Sequence, residues 1–124
     1  MARILVADDD VDVRTLVVLK LKSSGHEVLS VENGAEAVAS CRANRPDLVV
    51  LDLMMPGMSG LQACEAIRSD PSLSSTPVIL LTARAQEADV DAGIKSGADE
   101  YLTKPFSPRE LATRVEALLA GDRG

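Results

Sequence analysis

Ile4-Leu5-Val6-Ala7 runs directly into Asp8-Asp9-Asp10, a short aliphatic stretch that ends in three consecutive carboxylates. A strand with one face in water alternates polar and apolar side chains, whereas a parallel strand covered on both faces is apolar almost throughout. The Ile4–Ala7 run is of the second kind. Related runs recur along the chain at Glu27 to Val31, Leu48 to Leu53, Val78 to Leu81 and Tyr101-Leu102-Thr103. Five strands are expected, three of them apolar almost throughout.

The segments between these strands read as helices with recognisable ends. The first is expected from about Val11 to Ser23, with Val13, Leu16, Val17 and Leu21 at helical spacing and Gly25 placed to stop it. Asn33 with Glu36, and Ser59 with Gln62, have the spacing of N-caps for the second and third helices. A fourth helix is expected near Ala85 to Ser96, Ala-rich and weakly buried, with Gly93 inside it and Gly97 after it. Ser107-Pro108-Arg109-Glu110 supplies a cap, an N1 proline and a capping-box glutamate for the fifth helix, whose buried stripe is Leu111, Val115 and Leu118. Strict alternation of strand and helix predicts an α/β fold, a five-stranded parallel sheet with helices on both faces. Right-handed crossovers with one reversal of winding make the order 2-1-3-4-5, the flavodoxin-like arrangement, the expected topology.

Composition narrows the function. The chain has 124 residues, 46% of them hydrophobic, which suits a single domain with one sizeable core. We expect that domain over residues 1–120, with 121–124 as a frayed tail or the start of a linker. Thirteen basic against 19 acidic side chains give a net charge of −6, which argues against direct nucleic-acid binding. No apolar run approaches the roughly 20 residues that span a bilayer, so the expectation is a soluble, cytoplasmic protein without a membrane partner. Cys41 and Cys64 lack the spacing of a zinc site or redox dithiol and read as core fillers. His26, the only histidine, falls in the turn before the second strand and reads as a surface residue. The methionine group Met54, Met55 and Met58 reads as loop packing, since thioethers suit soft metals.

In a doubly wound sheet the ligand crevice opens at the carboxyl ends of the strands, beside the point where the winding reverses. Strand one ends there in Asp8-Asp9-Asp10, strand three in Asp52, strand four in Thr82 and strand five in Thr103-Lys104-Pro105. Two carboxylates at ~4.5 Å repel by roughly 4 kcal/mol at an effective dielectric near 20. A hard divalent cation offsets such repulsion, and Mg²⁺ typically takes one or two carboxylates and keeps several waters. Lys104 offers a point charge and Thr82 a hydroxyl donor to phosphoryl oxygens. With no Ser-His or Cys-His pair available, the expected nucleophile is a carboxylate, with Asp52 the most central.

These residues also carry a family resemblance. Ile4 to Asp10, Leu51-Asp52-Leu53-Met54-Met55-Pro56-Gly57-Met58-Ser59-Gly60, Leu80-Leu81-Thr82-Ala83-Arg84 and Gly97 to Phe106 together resemble the receiver domain of a two-component response regulator. The resemblance implies a phosphorylation-dependent switch, not an enzyme with a separate substrate. Asp52 would accept a phosphoryl group from a phosphohistidine of a sensor histidine kinase or a histidine phosphotransfer protein. Mg²⁺ would be held by Asp9, Asp52 and the Met54 carbonyl, and by Asp8 through a water. Lys104 and Thr82 would contact the phosphoryl group, Tyr101 would be the aromatic switch, and Lys104-Pro105 would be a cis peptide. Met54 and Arg84 would tune access of the hydrolytic water. Output to a downstream domain or protein would pass through the fourth helix, fifth strand and fifth helix. Asp99, Glu100 and Arg114 resemble positions that pair across this face in dimers of the winged-helix subclass, although Val90 stands where that subclass has arginine.

Rival readings are weaker. An aspartate-nucleophile phosphatase would use Asp8, with Asp10 as a second acid, but the chain is short for such an enzyme. A calcium loop starting at Asp8 would have Val13 in place of its glycine and Leu19 in place of its closing glutamate. No GxGxxG is present for a dinucleotide. A degenerate receiver acting only as an interaction module is disfavoured because every chemical position is filled.

Overall fold

The structure, a computed structural model, describes residues 2–83 and 97–121. The expected helix near Ala85–Ser96, with Arg84 and Val90, lies outside the described residues. Along the chain come β1 (Arg3–Ala7), α1 (Val11–Ser23), β2 (Glu27–Val31), α2 (Gly34–Asn44) and β3 (Leu48–Asp52). They are followed by α3 (Gly60–Ser69), β4 (Val78–Ala83), β5 (Glu100–Lys104) and a C-terminal helix, α4 (Pro108–Leu119). The strands form one parallel sheet in the order β2-β1-β3-β4-β5.

The continuous apolar runs are explained by two cores. Leu5, Ala7, Val49, Leu51, Val78 and Leu80 face one side of the sheet, where α2 and α3 contribute Ala37, Cys41, Ala63, Cys64 and Ile67. Ile4, Val6, Leu48, Val50, Ile79 and Leu81 face the other, against Val17 and Leu21 of α1 and Leu111, Val115 and Leu118 of α4. Period-2 alternation thus serves two apolar layers at once, and β1, β3 and β4 carry polar side chains only near their ends, at Arg3, Asp52 and Thr82. Both cysteines are buried, as expected, and burial pushes the Cys41 thiol up to about 12.

The expected caps are present. Asp10 Oδ1 accepts from the amides of Asp12 and Val13 at the start of α1. Asn33 accepts from Glu36 N. Ser59 and Gln62 form a reciprocal capping box, and Ser107 accepts from Glu110 N with Pro108 at the first helical position. Gly25 follows α1 at φ +91°, a conformation that glycine adopts without steric cost.

One sequence expectation is corrected. The His26 side chain is only 7% exposed: Nδ1 accepts from Ala2 N at 3.1 Å and Nε2 donates to Glu116 Oε1 at 2.5 Å. The side chain of a turn residue is covered here because Ala2 and α4, remote in sequence, converge on it. The charged residues that resemble a dimer face are engaged within the chain. Asp99 pairs with Arg68 Nη2 at 2.7 Å and accepts from Val78 N, and Glu100 pairs with Arg114. Among the described residues, no helix is long and apolar enough to cross a membrane.

Arg68 also donates from Nε to the Gly97 carbonyl and from Nη1 to the Thr76 carbonyl, tying α3 to the residues before β4 and β5. Replacing it by Met removes this ion pair from a site where both side chains are mostly covered, together with the two donors to the Gly97 and Thr76 carbonyls. We expect Arg68→Met to lower stability by about 2–4 kcal/mol, measurable as a lower urea midpoint. A midpoint unchanged from wild type would contradict this role.

Candidate functional site

Sheet register gathers the polar strand ends. Ala7 pairs with Leu51, so the next residues, Asp8 and Asp52, emerge side by side from β1 and β3. Asp52 pairs with Leu81 and Ala83 with Lys104, which brings Thr82 and Lys104 to the same edge. The reversal of winding falls between β1 and β3, so among the described residues no helix crosses over the gap that these residues line.

Asp8 is fully buried and Asp52 nearly so, while Asp9 is exposed; one carboxylate oxygen from each lies within 4.8 Å of the others. Lys104 Nζ bridges the buried pair, 3.1 Å from Asp8 Oδ2 and 3.4 Å from Asp52 Oδ1. Asp8 is held at every other polar atom. Its Oδ1 accepts from Asp10 N at 3.0 Å, its carbonyl accepts from Arg14 Nη1 at 2.7 Å, and its N donates to the Val31 carbonyl at 3.3 Å. The Lys104-Pro105 peptide is cis.

The electrostatics follow from this crowding. Burial, then the neighbouring Asp8 charge, push the Asp52 carboxyl up from 3.8 to about 7, against the opposing pull of Lys104. For Lys104, burial lowers the ammonium pKa, but the charges of Asp52 and Asp8 outweigh it and the net displacement is upward. One lysine therefore does not neutralise the pocket. The donors are hard carboxylate oxygens from three residues at one opening, a set that fits a hard divalent cation keeping part of its water shell.

Thr82 is 1% exposed, and its Oγ1 is buried without a hydrogen-bond partner. A buried hydroxyl left unpaired costs about 1–3 kcal/mol, so it is a donor awaiting an acceptor. Met54, two residues beyond β3, has a 59% exposed side chain, and Tyr101 on β5 is 41% exposed, turned outward. Of the residues expected at the site, Asp8, Asp9, Asp52 and Lys104 are gathered, Thr82 lies on the adjoining strand end, and Tyr101 faces away. Arg14 was not foreseen. Its guanidinium reaches back from α1 to the Asp8 carbonyl and lies 3.5 Å from Glu32. The available signal was its position on the first turns of a helix that leaves the acidic strand end.

A buried acidic pocket with one bridging lysine, at the switch point of a 2-1-3-4-5 sheet, is the site type of phosphoryl-accepting α/β signalling domains. Residues 4–116 match the response regulator receiver domain family, and the chain belongs to that family. Such domains are switches of two-component signalling, not conventional enzymes. Among relatives, the DNA-binding response regulator MtrA of Mycolicibacterium paratuberculosis (strain ATCC BAA-968 / K-10) is 44% identical over 117 residues, covering 94% of this chain and 51% of that protein. The chain thus spans about half the length of the curated relatives it matches. The signal receiver domain of a signal transduction histidine kinase from Syntrophus aciditrophicus superposes with a TM-score of 0.91 at 36% identity, covering 98% of this chain and 92% of that one. The receiver domain of sensor histidine kinase PA1611 from Pseudomonas aeruginosa PAO1 has a TM-score of 0.89 at 30% identity, covering 96% and 98%, and is described with a magnesium ion coordinated in its active-site cleft.

The raised Asp52 pKa makes stability depend on pH. Between 3.8 and about 7 the folded chain keeps a proton on Asp52 that the unfolded chain releases. Stability from this group is therefore complete below about pH 4 and is lost as pH rises through about 7. Asp52→Asn cannot ionise, so in chelated buffer it should exceed wild type by about 2–4 kcal/mol at pH 8 and converge with it towards pH 4. Denaturant titrations across that range measure the gap, and a gap independent of pH would contradict the assignment.

Proposed function

We propose that this chain is a phosphorylation-dependent signalling switch that takes a phosphoryl group from a phosphohistidine of a sensor histidine kinase or a histidine phosphotransfer protein onto Asp52. The observation that carries this reading is the placement of Asp52 Oδ1, 3.4 Å from Lys104 Nζ in a pocket shared with Asp8 and Asp9. An Asp52 carboxylate oxygen attacks phosphorus in line, the P–O bond forms as the P–N bond breaks, and the imidazole leaves with the electron pair and takes up a proton. Lys104 compensates the charge on the transferred oxygens. Asp9 and Asp52, with the Met54 carbonyl, are the residues we assign to Mg²⁺, with Asp8 acting through a water; the bound ion supplies neutralising charge to the phosphoryl oxygens. The domain promotes phosphorylation and dephosphorylation of itself and acts on no separate substrate.

The unpartnered Thr82 hydroxyl is suited to donate to a phosphoryl oxygen on Asp52. Movement of Thr82 towards that oxygen opens space for the outward Tyr101 to turn in, which changes the surface at β5 and α4; the expected fourth helix, read as part of the same output face, lies outside the described residues. We assign that surface to output, towards a downstream domain or protein, with self-association of this face as one form of output. The donor protein is assigned to α1. Val11, Leu16 and Leu19 are exposed there, and a groove of about 320 Å³ lined by Val13, Leu16, Lys104, Pro105 and Phe106 lies beside the lysine.

The phosphatase reading is disfavoured by geometry. Its nucleophile, Asp8, is fully buried with both oxygens engaged, and Asp10 is occupied as the cap of α1. Incubation with Mg²⁺ and a small acyl phosphate, followed by intact-mass analysis and peptide mapping, should give one phosphoryl group on Asp52. Asp52→Asn and Asp9→Ala should each abolish it. Phosphate mapped to Asp8 would support the phosphatase reading, and no phosphate in wild type would support a degenerate receiver.

Met54, two residues beyond Asp52, has an exposed apolar side chain, and we assign it to hindering the approach of water to the acyl phosphate. Met54→Asn should hydrolyse its phosphoryl group several-fold faster than wild type in a side-by-side decay assay. A slower variant would contradict this.

A further inference from the structure

Two helices in this fold begin with a glycine that has no need of glycine's backbone freedom. Gly34 opens α2 and Gly60 opens α3, and neither has a left-handed φ. At a helical position glycine is about 1 kcal/mol worse than alanine, so what these sites require is space. A Cβ on Gly60 would stand 2.2 Å from the carbonyl oxygen of Asp52 itself. A Cβ on Gly34 would stand 2.3 Å from the Met58 carbonyl oxygen, 2.9 Å from its carbonyl carbon and 3.0 Å from Met58 Cβ. Backbone cannot swing aside as the tip of a side chain can.

Met58 belongs to the connection between β3 and α3, residues 53–59, which carries Met54. The start of that connection is anchored firmly. Leu53 N donates to the Leu81 carbonyl at 2.8 Å, Gly60 N donates to the Leu53 carbonyl at 2.9 Å, and Leu53 and Met55 are buried in the α2–α3 core. Its far end rests on Gly34. The first turn of α2 is itself fixed by the Asn33 cap, which accepts from Glu36 N at 2.9 Å.

We infer that Gly34 is a positioning residue for the acceptor site: the bare first turn of α2, seated on the Met58 carbonyl, holds the β3–α3 connection and the Asp52 end of the acidic pocket in the arrangement that binds Mg²⁺. The inference rests on the metal reading above. A methyl group at residue 34 displaces Met58, and the displacement passes along a short, doubly anchored connection to Met54 and Asp52. Outer residues that orient metal ligands commonly affect affinity by about 10–100-fold.

The test is isothermal titration of Mg²⁺ into wild type, Gly34→Ala and Gly25→Ala, with melting curves for all three. Gly25 has a left-handed φ and nothing near its missing Cβ, so its alanine variant is strained and less stable without touching the site. We expect Gly34→Ala to bind Mg²⁺ about tenfold more weakly, and Gly25→Ala to stay within about twofold of wild type despite its lower melting temperature. Wild-type affinity in a folded Gly34→Ala would overturn the inference and leave the metal reading standing. No Mg²⁺ binding by wild type would overturn both. Should Gly34→Ala not fold, amide exchange on wild type decides: Mg²⁺ should slow exchange at Ala37 and Val38 in α2, and unchanged exchange there would overturn the inference.

Discussion

The charge conflict between Asp8 and Asp52 is the constraint around which the rest is arranged. Two carboxylates that parallel register forces side by side cannot both ionise in a buried pocket without compensation. Lys104 bridges them at 3.1 and 3.4 Å, yet the Asp52 carboxyl remains raised to about 7. The domain thus carries an electrostatic deficit at the acidic pocket to which we assign a cation and a phosphoryl group. Binding is favoured because the folded chain has already assembled the repulsion.

The remaining architecture serves to keep that pocket from relaxing. Two apolar layers hold β1, β3 and β4 in register, so the aspartates cannot slip apart without breaking both cores. Asp8 is tied at its amide, its carbonyl and both carboxylate oxygens, and Arg14 brings α1 into that restraint. By contrast, Thr82 Oγ1 has no partner and Tyr101 is turned outward. The acceptor side is over-determined and the β4–β5 side is left able to respond, which is the division of labour that a switch requires.

Much of this was readable from residue order. The uninterrupted aliphatic runs marked strands covered on both faces, the caps at Asn33, Ser59 and Ser107 marked helix starts, and Asp8, Asp9, Asp52, Thr82 and Lys104 followed as strand-end residues once the topology was inferred. Periodicity and capping are local rules, and they transmit into sequence because each acts within a few residues. What local rules miss has one cause, contact between segments remote in sequence. His26 reads as a surface turn residue, and its side chain is covered by Ala2 and Glu116. Arg14 was passed over because its acceptor is a backbone carbonyl, which leaves no trace in the identity of any residue.

The sequence by itself determined the class of fold, the edge at which the chemistry gathers and the residue types available there, since these depend on pattern and on strand ends. Tertiary structure alone decided how deeply Asp8 is buried, that Thr82 lacks a partner, and that Gly34 and Gly60 touch the backbone of the acceptor connection. Those properties are distances between atoms far apart in the chain. They exist only after packing brings the segments together, and a glycine's necessity is visible only in what its missing side chain would strike.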